Sequence, residues 1–228
     1  MIEIIVSSLE DLRESLSGGA DRVELVTSLS QGGLTPSAAL MDAILKESSL
    51  PVCVMLRPEK KGFHYTKEEI RLLRREAQLA VSFGASHVVM GALDEEGLAD
   101  IGVVEEILEG TELTVTFHRA FDESADLFES LKRINGCERI THLLTSGGPG
   151  KVTDNLVTVK KILDQARPRV ILGSGVHTGS LEAISNALRH FSFDLHVGTG
   201  VRDKGEFSRV QAHKVRKLID AARQLGLR

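Results

Sequence analysis

Residues 114–122 read TVTFHRAFD. Thr114, Val115, Thr116 and Phe117 all favour extended chain, and the run then ends on His118 and Arg119. A strand that delivers an imidazole and a guanidinium at its C-terminal end suits a parallel α/β fold, where sites are built at that end of the sheet. The reading therefore depends on whether the rest of the chain supplies parallel strands.

Working outward, β-favouring runs recur along the whole chain: EIIVS (3–7), RVELV (22–26), VCVML (52–56) and HVVMG (87–91) before the quoted stretch. ITHLLT (140–145), RVILG (169–173) and FDLHV (193–197) follow it. A helix-like stretch comes after each, among them residues 9–17, 66–83, 127–135 and 209–225. Repeated β-then-α units imply parallel strands joined by right-handed crossovers. Eight of them predict a TIM (β/α)8 barrel, one domain over residues 1–228. The competing fold is an open doubly wound sheet, which usually carries a glycine-rich turn after its first strand. Here that turn is Ser7-Ser8-Leu9-Glu10-Asp11, with no glycine.

Side chains alternate between the two faces of a strand. In a barrel the outward set packs on helices and is apolar, so polar residues turn inward or reach the mouth. This parity puts Glu3, Ile5 and Ser7 inward on the first strand and Glu24 on the second. On the third it puts Cys53, Met55 and Arg57 inward, on the fifth Thr114, Thr116 and His118, and on the eighth Asp194 and His196. Glu24, Arg57, His118 and His196 thus become candidate catalytic residues at one mouth. Glu24 and Arg57, on neighbouring strands, are expected to pair, since an unpaired buried charge is costly. The set reads either as a functional pocket or as a satisfied polar core. Arg119 is expected to tie down its loop through Asp122. His87, His142, His190 and His213 read as strand-start or helix-surface residues, and His64 and His177 as loop residues near the mouth.

Four strand ends run into small residues, at 91–92, 145–150, 173–180 and 198–200. Glycine lets backbone N–H groups form an anion-binding nest, and barrels often hold phosphate after strands 7 and 8. Ser146, Gly147, Gly173, Ser174, Gly175, Gly198 and Thr199 are the candidate anion-binding residues, with Thr178 or Ser180 as a helix N-cap beside them. Tight βα turns also need glycine. The late start of the last helix, after VRDKGEFS, makes that loop a candidate lid. No strand contains lysine, which disfavours Schiff-base chemistry, and H-E-x-x-H is absent. Proton transfer by Glu24 or His118 is the simplest chemistry these residues offer.

Composition bounds the partners. Net charge is -4 and aromatics are 4% with no Trp, so neither nucleic acid nor an anionic membrane is expected. Two cysteines, Cys53 and Cys137, make no disulfide framework. The N-terminus carries acidic residues and no long apolar run, which predicts a cytoplasmic protein. Cys53 and Met55, both inward, with His118 nearby, form a candidate soft-metal site for Cu(I). The plainer reading, and the preferred one, is that Cys53 and Met55 are small, adaptable core filling.

GGADRVEL (18–25), SQGGLTPS (30–37), VMLRP (54–58), GFHY (62–65), TFHRAFD (116–122) and LLTSGG (143–148) together resemble the CutC family, in family order. GSGVHTGSLEAI (173–184) and LHVGTG (195–200) match its last third more loosely. The resemblance implies a TIM barrel, a cytoplasmic location, a dimer or other small homo-oligomer and a role in copper homeostasis. It also carries Glu24, Arg57, His118 and His196 over as matching mouth positions. Many members have cysteine directly after the EL of the second strand, where this chain has Val26; that removes one soft thiolate. Two functions stand side by side: a copper-handling protein that binds Cu(I), and an enzyme acting on a small anionic or phosphorylated metabolite.

Overall fold

The computed structural model describes residues 1–227. Eight strands form one closed parallel barrel in sequence order: β1 Ile2–Val6, β2 Arg22–Leu25, β3 Val52–Met55, β4 His87–Met90, β5 Thr114–Phe117, β6 Ile140–Thr145, β7 Arg169–Leu172 and β8 Asp194–Val197. β1 closes the ring against β8, with Glu3 beside His196. The intervening helices are α1 Leu9–Gly18, α2 Ala38–Glu47, α3 Lys67–Ser82, α4 Ile101–Leu108, α5 Leu127–Asn135, α6 Leu156–Gln165, α7 Leu181–Leu188 and α8 Ala212–Gln224. The fold is the TIM barrel, and the open sheet is excluded by the β1–β8 pairing.

Local chemistry starts most helices where the sequence suggests. Ser8, Ser37, Asp100 and Asp126 each accept a backbone N–H from the first turn, and Thr66 with Glu69 forms a full capping box. Each such cap is worth about 1 kcal/mol. α8 begins at Ala212, three residues later than the periodicity suggests. Residues 202–210 are held as a loop by the Arg202–Val210 bridge and by the Val210 N–H donated to Asp11. α7 has Ser180 at its N-cap, but the hydroxyl bonds the His177 backbone instead of capping the helix.

The two faces of the strands carry separate apolar layers. Ile4, Val23, Leu25, Val54, Val88, Phe117, Leu172 and Val197 pack outward with the helices in one continuous core. Ile5, Val26, Cys53, Met55 and Val89 form a small inner cluster beneath Leu29. Below that cluster the lumen is polar. His87 bonds Thr114 and Thr116, and Arg22 bonds Glu3 and His142. Asp194 takes the N-terminal ammonium and Arg169 at the lower rim. No described helix is long and apolar enough to cross a membrane.

Candidate active site

The C-terminal ends of the strands open onto a cavity of about 720 Å³ lined by Glu24, Met55, Arg57, Phe63, His118, Leu144 and His196, with Ile5 and residues of the surrounding loops. At its floor, β1, β2 and β8 bring three titratable groups together. Glu3 Oε1 lies 2.7 Å from His196 Nδ1, and Glu3 Oε2 takes Arg22 Nε at 2.5 Å. His196 Nε2 faces Glu24 Oε2 at 3.7 Å, while Glu24 Oε1 has no hydrogen-bond partner among the described residues. All three side chains are buried.

The environment drives the two carboxylates apart. Burial alone would raise Glu3, but the hydrogen bond with His196 and the charges of Arg22 and His196 outweigh it and hold the group at about 2. Burial pushes Glu24 up to about 7, and the charge on Glu3 adds to the rise against opposition from His196 and Arg22. Burial would lower His196, yet the Glu24 charge and the bond to Glu3 carry it above its ordinary value. With Glu3 ionised, Nδ1 of His196 is the donor. Glu24, with its pKa pushed up to about 7, and Nε2 of His196, raised above its ordinary value, then face each other as an interacting pair.

The opposite wall carries Arg57 and His118. The expected Glu24–Arg57 pair does not form. Glu24 stands beside Cys53 in the ladder, so Arg57 lies four residues further along, roughly 13 Å at ~3.3 Å per residue. Arg57 instead reaches the carbonyls of Gln31 and Lys60 and lies over the Phe63 ring at 4.7 Å. Among the described residues it has no carboxylate partner, and its Nε is buried without a hydrogen bond. His118 packs edge-on against the same Phe63 at 4.9 Å. Burial, then the Arg57 charge, lowers its pKa to about 3, so the ring is neutral. The Ala120 N–H donates to Nδ1; the proton is thereby assigned to Nε2, a buried atom with no hydrogen-bond partner among the described residues. Gly91 makes room for this ring, since a Cβ there would sit 2.7 Å from Nδ1.

The glycine loops divide. Ser174, Gly175, Gly198 and Thr199 line the cavity. Ser146, Gly147 and Gly173 do not, because their backbone groups are already used. Asp122 accepts from the N–H groups of Ser146 and Gly148 and from the Thr145 and Ser146 hydroxyls. Gly147 donates to Thr145, and Gly173 to the Thr145 carbonyl. That nest holds the chain's own carboxylate. Arg119 binds Asp122 at 2.8 Å, as its spacing suggests. His177 accepts the Gly179 N–H within its own turn, and His64 is exposed. His87 opens β4, but His142 lies inside β6, turned towards Arg22.

Of the candidate metal ligands, Met55 and His118 line the cavity, whereas Cys53 sits behind it. Burial, followed by the nearby Glu3 charge, raises the Cys53 thiol well above its ordinary value. Among the described residues, one group of His, Cys, Asp and Glu side chains, Glu3, Glu24 and His196, brings a ligand atom from each within 4.8 Å of the others. Its oxygen and nitrogen donors do not fit Cu(I), which selects sulfur. Glu3 has, besides, committed both oxygens to Arg22 and His196. Glu3 and Arg22 are the site residues that sequence reasoning left out. Parity turned Glu3 inward, but only closure of β1 on β8 puts it against His196.

A family model described as the CutC family matches residues 1–199. The chain belongs to the CutC family. A CutC family protein of Vibrio campbellii is 36% identical over 190 residues, 80% of this chain and 76% of the relative. A human copper homeostasis protein cutC homolog is 35% identical over 189 residues, 81% of this chain and 68% of the relative. The structure of a CutC from Streptococcus agalactiae superposes with a TM-score of 0.78 at 26% identity, covering 87% of this chain and 98% of that one. A TrpF from Jonesia denitrificans shares the barrel alone, with a TM-score of 0.64 at 13% identity over 100% of this chain and 98% of its own.

Proposed function

We propose that this CutC-family barrel binds a small carboxylated or phosphorylated metabolite in its mouth and moves a proton on it. One observation carries the reading. Glu24 Oε1, Arg57 Nε and His118 Nε2 are buried polar atoms without a hydrogen-bond partner among the described residues, and all three belong to residues lining the same cavity. Each such atom costs about 1–3 kcal/mol, and stability gives no reason to collect them in one place. Arg57 neutralises the anion, His118 donates to it, and the Glu24–His196 pair gives or takes the proton. Ser174, Gly175, Gly198 and Thr199 extend the anion-binding surface along the rim. The test is thermal unfolding with phosphate, sulfate and a panel of phosphorylated and carboxylated metabolites, on wild type and Arg57→Gln. A ligand that binds only the native state raises Tm, and the rise should shrink in the variant. No rise with any compound refutes the reading.

A second function, Cu(I) handling in the cytoplasm, is favoured by Met55 and His118 lining one cavity, a thioether and a neutral imidazole. Cys53 would complete the set after losing its proton. Titration of reduced protein with Cu(I) against a competing chelator tests it. One-to-one binding lost in Cys53→Ser/His118→Ala supports the site, and no binding above the chelator removes it. The homo-oligomer that the family resemblance implies is tested by sedimentation of the purified chain.

A further inference from the structure

The ligand reading above leaves the reaction open, and the polarity of the cavity narrows it. On one wall Phe63 packs against both Arg57 and His118, so a guanidinium without a carboxylate partner and an N–H of fixed direction stand side by side. Both are donors, and neither accepts a proton: His118 Nδ1 is occupied by the Ala120 N–H. At the floor the arrangement is reversed. Glu24 offers a free acceptor oxygen, and His196 beside it is held by Glu3, which Arg22 holds in turn. Ile5, Met55 and Leu144 supply apolar lining to the same cavity. Donors that can stabilise a developing oxyanion and an acceptor that can take a proton thus line one cavity.

We infer that the mouth enolises a small hydroxycarbonyl or oxo compound carrying one carboxylate or phosphate, with Glu24 as the base and His118 and Arg57 on the enolate oxygen. This inference rests on the ligand reading. Glu24 takes the proton from the carbon next to the carbonyl, and the C–H electron pair becomes the C=C bond as the carbonyl π pair moves onto oxygen. His118 Nε2–H and the Arg57 guanidinium stabilise that charge without transferring a proton. Return of a proton from Glu24 to the same carbon, on the face it left, exchanges it; return to the neighbouring carbon, with a hydroxyl proton moving to oxygen, isomerises the compound. No electron acceptor or second substrate is needed. Glu3 and Arg22 are positioning residues that orient His196 beside the base.

Proton NMR in D2O tests this directly, with dihydroxyacetone phosphate and ribulose 5-phosphate as phosphate probes and pyruvate and 2-oxoglutarate as carboxylate probes. Thermal protection by each probe is measured on the same samples. The expected result is protein-dependent loss of the C–H signal next to the carbonyl for at least one probe. The rate should fall about 100-fold or more in Glu24→Gln and about 100- to 1000-fold in His118→Ala. Glu24→Gln keeps the shape of the side chain, so a folded variant is available even if His118→Ala does not fold. A probe that protects the protein but exchanges no faster than in buffer overturns the enolisation and leaves the ligand reading standing. Exchange that is equally fast in Glu24→Gln overturns the assignment of the base. Neither protection nor exchange by any probe overturns both.

Discussion

Glu24 is a carboxyl group that the fold resists ionising, so replacing it with Gln should stabilise the protein, increasingly so as pH rises. An acid whose folded pKa lies above its unfolded value binds its proton more tightly in the native state. Wild type therefore loses stability as pH climbs from the unfolded value near 4.5 to the folded value of about 7. At about 1.36 kcal/mol for each pKa unit, that interval corresponds to on the order of 3 kcal/mol. His196, also raised, contributes with the same sign: its stabilisation is present below its ordinary value and is lost as pH passes its raised one. Because the Glu24 carboxylate is a principal cause of that rise, the variant loses part of this contribution too. Urea unfolding of wild type and Glu24→Gln at pH 5, 6, 7 and 8 should show the variant gaining on wild type by about 3 kcal/mol across the range, with unchanged m-values. Parallel stability profiles would refute the reasoning, and so would a wild type that gains on the variant with pH. The expected pattern is that of a site kept for function at the expense of stability.

Glu3→Gln should behave oppositely. Its folded pKa of about 2 gives stability that is present above about 4.5 and lost as pH falls towards 2, so the variant should be weaker by roughly 3–5 kcal/mol at pH 7, with Arg22 left unpaired, and the gap should close in acid unfolding followed by circular dichroism. Asp122→Asn should cost about 2–4 kcal/mol in urea unfolding, because an amide cannot accept from Arg119, Ser146, Thr145 and Gly148 together. Gly18→Ala should lower stability by about 1–3 kcal/mol, since its Cβ would sit 2.5 Å from Val215 Cβ where α1 crosses α8; an unchanged Tm would show that the crossing can relax. Cys53 and Cys137, both buried with raised thiol pKa values, should react with a thiol reagent at pH 8 far more slowly in the native protein than in urea.

Much of the site was legible because the relevant signals are local. The alternation in RVELV, VCVMLRP and FDLHVG turns Glu24, Arg57 and His196 inward whatever their neighbours are. The end of TVTFHR puts His118 at a strand terminus, and i,i+3 spacing is enough to join Arg119 to Asp122. The errors share one source. Glu24 and Arg57 sit on adjacent strands, but adjacency does not fix register, and the ladder separates them by four residues. TSGGPG has the composition of an anion nest, yet its N–H groups close on Asp122, which is 23 residues before Thr145 in the chain.

The sequence by itself therefore determined the eight βα units, the face on which each strand residue stands and the mouth as the place where polar side chains gather. These follow from periodicities of two and 3.6 residues, which are properties of neighbouring peptide units. Only the tertiary structure decided which polar groups meet. Closing β1 on β8 put Glu3 against His196 and His196 beside Glu24, while the β2–β3 register kept Glu24 away from the Arg57 guanidinium. Proton affinities at the mouth are set by burial and by charges a few ångströms away. Those distances come from strands 193 residues apart in the chain, where no local pattern carries information.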